Sequence, residues 1–136
     1  MSESPISSIS ENELLGRFLT KDFWVRADQT ISPDAFIPPK DLNLSVTRHV
    51  GLTEEVLWRI AQNVADAVSR RSPGSLHGRA DIAALAAIQH SLQVEAAPLP
   101  DNANHAHING WPQDNKPAQK QIAQRIAAAA KFVAKP

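Results

Sequence analysis

A chain of 136 residues, 43% of them hydrophobic, is long enough to bury one substantial core, and that apolar share excludes wholesale disorder. It contains no cysteine, which excludes a disulfide framework, thiolate metal sites and a thiol nucleophile. The formal net charge of zero argues against a protein whose main task is gripping nucleic acid.

Charge is unevenly spread, however. Residues 1–68 carry six basic and ten acidic side chains, and residues 69–136 carry eight and four, which leaves room for a local basic face. Residues 1–10 are rich in serine and read as a disordered N-terminal tail, with residues 11–136 forming a single α+β domain. The N-terminus lacks the basic start and apolar core of a signal peptide. No run approaches the roughly 20 apolar residues that span a bilayer. A cytoplasmic location with no membrane partner is therefore expected.

The segment 11–20 predicts a short helix. Ser10 and Glu13 have capping-box spacing, and Leu14, Leu15, Phe18 and Leu19 would form the buried stripe. Residues 21–26 read as a short extended piece. Pro33, Pro38 and Pro39 block a regular helix over 28–41, so a loop is expected there. The run 42–48 alternates well, with Leu42, Leu44 and Val46 on one face and Asn43, Ser45 and Thr47 on the other, which predicts a strand.

Thr53 suits an N-cap, and Glu54 and Glu55 suit the first turn of a helix over 53–70. Val56, Leu57, Ile60, Val64, Ala67 and Val68 fall on one side of it, with Trp58 off that stripe. A loop over 70–79 and a short alanine-rich helix over 81–90 follow. Residues 91–97 alternate as a second strand. Residues 104–109 form a third, which places His105, His107 and Asn109 on one face and Ala106 and Ile108 on the other. Trp111-Pro112 turns the chain, and a last helix from Pro117 to about Val133 carries Lys116, Lys120, Lys131 and Lys135 along one side. The fold class expected is α+β, a small sheet of about three strands with helices packed on one face.

His105 and His107 are the candidate catalytic residues. Two imidazoles on one strand face can hold a divalent metal if a third ligand comes from Asp101, His49 or His77. Without a metal, one can serve as base and the other as acid. The plainer alternative is a pair of solvent-facing histidines with no chemistry. Arg48 and Arg79 end elements and could clamp an anion, or simply form internal salt bridges. Trp111 could stack on a ligand or close the end of the core. Lys116 and Lys120 could contact phosphates or form a solvated face.

There is no phosphate-loop, dinucleotide-binding, zinc-protease or nucleophile-elbow motif in the chain. These features point to a small binding or accessory module working in a larger protein assembly. No cofactor is expected, and a protein partner is, with nucleic acid on the basic C-terminal helix as a second option. The alternative is a small histidine-dependent hydrolase or nuclease, with or without a divalent metal, acting on an anionic phosphate-containing substrate.

Overall fold

The computed structural model describes residues 9–70 and 73–136. Its strands are β1 (Leu14–Phe18), β2 (Leu44–Arg48), β3 (Gly78–Ala83), β4 (Gln93–Ala96), β5 (His105–Asn109) and β6 (Lys131–Ala134). Its helices are α1 (Glu54–Ser69), the single turn α2 (Leu85–Ile88) and α3 (Lys116–Ala129). All strand pairs are antiparallel, and the sheet order is β4-β5-β2-β1-β3-β6.

Paired residues point to the same side of a sheet, so the register assigns the faces. Leu15, Leu44, Val46, Ala80, Ile82, Ala106 and Ile108 share one face and form the main core with Ile126, Ala123 and Ala127 of α3 and with Phe36. Phe18 lies on the opposite face and joins a second core with Ala61 and Ala65 of α1 and Leu76. Helices therefore cover both faces. The expected three-stranded sheet with helices on one side is corrected to a six-stranded sheet in a single α+β domain.

Three elements account for the difference. The segment 11–20 holds the strand Leu14–Phe18 rather than a helix: Leu15 and Phe18 are buried on opposite faces, so apolar residues fall at helix-like intervals although the backbone is extended. Glu13 does not close a capping box, because its carboxylate pairs with Arg48. The alanine-rich segment 81–90 divides into the end of β3 and the turn α2. Arg79 and Asp81 alternate with Ala80 and Ile82, and pairing with β1 and β6 overrides alanine's helix propensity. The last helix stops at Ala129, and Ala130 turns extended so that Phe132 and Val133 pair along the free edge of β3.

Other elements follow local rules. Thr53 caps α1 by accepting from the Val56 amide at 3.2 Å. Asn115 caps α3, accepting from the Ala118 amide at 3.1 Å, with Pro117 in the first turn. The expected N-terminal tail lies outside the described residues except for Ile9, which packs on the main core, and Ser10. Residues 71 and 72 of the expected 70–79 loop also lie outside them.

Candidate functional site

The seating of α1 determines the shape of the site. Its buried line is Leu57, Ala61 and Ala65, which are i, i+4 and i+8 on one stripe. The two alanines let the helix lie close over β1 and β3. Val64 and Ile60 are only half-buried, and Val68 is 60% exposed. The predicted core stripe is thus rotated, and its valines and isoleucine form one wall of a cleft. α1 covers only part of its sheet face and leaves the β2–β5 part open.

The cleft has a volume of about 450 Å³. One wall is α1, through Ile60, Asn63, Val64, Ala67 and Val68. The other is His105 with Leu99, Asp101 and Asn102 of the β4–β5 loop. Thr20, Lys21 and Trp24 close one end. The loop wall is fixed by buried amides. Asn102 Nδ2 donates to Thr47 Oγ1 at 3.0 Å, and Asn104 Nδ2 donates to the carbonyls of Arg48 and Val50 at 2.9 and 2.7 Å.

The floor is a gap in the sheet. β1 pairs with β3 along all five of its residues but with β2 only at Leu15–Arg48 and Gly16–Thr47. Beyond that point the two strands part. Arg17 leaves β1 on the main-core side, as its partner Ala80 does, and its guanidinium borders the gap from there, donating from Nη1 to the Ser45 carbonyl at 3.1 Å and from Nε to the Ala35 carbonyl at 2.8 Å while still lining the cleft. It also lies over the Trp24 ring at 5.1 Å. Burial pulls its pKa down to about 10, so it remains a cation at neutral pH.

His105 and His107 stand side by side on the open face, ring centroids 4.8 Å apart and edge to face. His105 Nδ1 lies 2.8 Å from the Ala97 carbonyl, which can only accept, so in the neutral ring this nitrogen is the one that carries the proton. Desolvation, then the neighbouring charge of His105, lowers the His107 pKa against the opposing pull of Asp41 and Glu95. Glu95 is the cross-strand partner of His107, and its carboxylate accepts from Asn109. Asp101 lines the same cleft as His105. Among the described residues, however, no group of three His, Asp or Glu side chains is placed to hold a metal ion.

The remaining candidates do not converge on the histidines. Arg48 is on the opposite sheet face, in a bidentate pair with Glu13. Arg79 is on β3, three strands from β5, which is about 14 Å at ordinary strand spacing. It donates from Nε to Asp81 at 2.9 Å and from Nη1 and Nη2 to Glu54 at 2.8 and 2.9 Å, and it stacks on Trp58 at 4.9 Å. Burial works against the Arg79 charge, but the two carboxylates outweigh it and raise the pKa. Burial likewise works against the Asp81 charge, but His49 and Arg79 outweigh it and hold the carboxyl below the usual range. His49 Nε2 is 3.2 Å from Asp81 Oδ1 yet too poorly aligned for a hydrogen bond. The ring reaches this position because Gly16 has no Cβ: one would lie 3.1 Å from His49 Nε2. His77 immediately precedes β3, its amide donating to the Leu19 carbonyl at 2.8 Å, and does not line the cleft.

Trp111 is buried, its indole donating to the Ile108 carbonyl at 2.9 Å, so it closes the core end rather than facing the cleft. Lys116 and Lys120 are exposed on α3, behind the opposite sheet face. Reading the sequence missed Arg17, Trp24 and the outward role of Ile60, Val64 and Val68. The available signal was the width of the α1 stripe, which is broader than one buried face with Ala61 and Ala65 beside it. No helix among the described residues is long and apolar enough to cross a membrane. Comparison of the chain with protein families, with curated proteins and with solved structures gave no match.

Proposed function

We propose that the protein is a binding module, acting as an accessory component rather than through catalysis, and that its ligand seat is the cleft between α1 and the open sheet face. The carrying observation is the rotation of α1, which leaves Ile60, Val64 and Val68 along a concave surface of about 450 Å³. That volume falls in the ordinary range for small-ligand pockets, about 300–1,000 Å³. Apolar side chains outside a core are commonplace one at a time, but gathered along a cleft they favour binding. The ion pairs of Arg48 and Arg79 also favour this reading over phosphate chemistry, since neither guanidinium is available beside the histidines.

A neutral solvatochromic dye such as Nile red tests the reading. One saturable site is expected on the native protein, abolished by Val68→Lys, a 60% exposed position on the cleft wall, while the melting temperature is kept. Absence of saturable binding, or binding untouched by Val68→Lys, would overturn it. A second reading, acid–base hydrolysis of an anionic substrate by His105 and His107, is favoured by one arrangement only. The Ala97 carbonyl fixes the His105 tautomer, and the two rings are in contact.

A further inference from the structure

The floor of the cleft holds a cation to which the fold gives no acid. Among the described residues, Arg48 pairs with Glu13, and Arg79 pairs with Asp81 and Glu54, but no carboxylate lies within ion-pair distance of Arg17. A guanidinium has five N–H donors, and Arg17 uses one on the Ala35 carbonyl and one on the Ser45 carbonyl. Its Nη2 group and the second Nη1 hydrogen have no partner among the described residues. Carbonyl dipoles and the face of Trp24 hold the guanidinium plane without neutralising it. Arg17 is half-buried, and partial burial with no counter-ion disfavours its charge and lowers the pKa to about 10.

We propose that the cleft binds a free small-molecule carboxylate with an apolar body, its carboxylate on Arg17 and its body along Ile60, Val64 and Val68. The planar fork of a guanidinium matches a carboxylate in a two-bond arrangement. The apolar wall excludes a wholly polar anion. Asp101 at the other wall disfavours a ligand of higher negative charge. Single negative charge at one end and an apolar remainder is the chemistry that satisfies all three features. The inference rests on the cleft being the ligand seat, and the experiment separates the two claims.

Decanoate and decanol, matched in length and differing in charge, are titrated calorimetrically at neutral pH below their aggregation limits. Decanoate should bind at least tenfold more tightly. Arg17→Met should erase that preference by weakening decanoate to the level of decanol, and Lys120→Gln, exposed on α3 behind the opposite sheet face, should retain it. Equal affinity for the two ligands would overturn the role of Arg17 while leaving the cleft as the seat. Binding of neither would overturn both claims. A preference that disappears with Lys21→Gln and survives Arg17→Met would assign the anion to the wrong cation. A hexapeptide with an apolar C-terminal residue and a free carboxylate, bound more tightly than decanoate, would replace the small molecule with a chain terminus. If Arg17→Met fails to fold, the native-protein comparison together with Lys21→Gln decides: a decanoate preference that survives Lys21→Gln keeps the anion on Arg17, and one that does not survive it overturns that assignment.

Discussion

Arg79→Ala removes three charge-assisted hydrogen bonds and a ring contact at once, and the structure apportions their loss. The guanidinium is 4% exposed, but the Glu54 side chain is 64% exposed, so that bridge is worth about 0–1 kcal/mol despite its bidentate geometry. Stacking on Trp58 adds about 0.5–2 kcal/mol. Asp81 is different: its side chain is 11% exposed, and truncation leaves it only His49, at 3.2 Å and poorly aligned. An orphaned acceptor of this kind costs about 1–3 kcal/mol. The variant should therefore lose about 1.5–6 kcal/mol at neutral pH, whereas Glu54→Gln should lose less than about 1 kcal/mol. The sign of the acid dependence follows from Asp81. Its folded pKa lies below the unfolded value, so its contribution is present above about pH 4 and is lost as pH falls through the folded value. Urea unfolding followed by tryptophan fluorescence at pH 7 and pH 3 measures both effects. The difference between wild type and Arg79→Ala should shrink on acidification. A variant within about 0.5 kcal/mol of wild type at pH 7, or equally large losses for Arg79→Ala and Glu54→Gln, would refute the reasoning.

Gly74→Ala should cost about 1–3 kcal/mol in the same denaturation assay, because an added Cβ would fall on the Ala65 carbonyl and force α1 away from the loop that packs on it; unchanged stability would show that the loop yields freely. In an NMR pH series, His107 should titrate below the ordinary histidine value of about 6.5. His105→Gln should move that midpoint upward by removing the neighbouring charge. Since the folded state resists protonation there, stability should fall as pH drops through 6.5, and His107→Gln should flatten that fall.

The parts of the fold legible in the sequence are those whose local pattern and tertiary environment agree. Alternation over 104–109 gave the faces of β5, with Ala106 and Ile108 buried and His105 and His107 turned outward, because this strand has one covered face. The start of α1 followed from Thr53 and its first-turn acids, and the start of α3 from Pro117, since these signals act within one turn. Periodicity failed where a segment is buried on both sides. Leu15 and Phe18 serve two different cores, and that spacing imitates a helix. It failed again in β3 and β6, where alanine-rich sequence is extended only because strands distant in the chain supply its hydrogen bonds.

The candidate site was legible in half. The histidine pair belongs to one strand and was visible in one window of sequence. The cleft opposite it was not, because it depends on how α1 is rotated over the sheet. A stripe holding Val64 and Val68 beside Ala61 and Ala65 offers two faces that could be buried. The smaller residues were chosen because they allow closer approach to β1 and to Gly74. Arg17 carries no sequence mark at all. Its importance comes from the parting of β1 and β2, which places a guanidinium between two backbone carbonyls with no acid within reach. Local sequence determined which faces of each element are apolar, and only the tertiary structure decided which of those faces became core and which became the cleft.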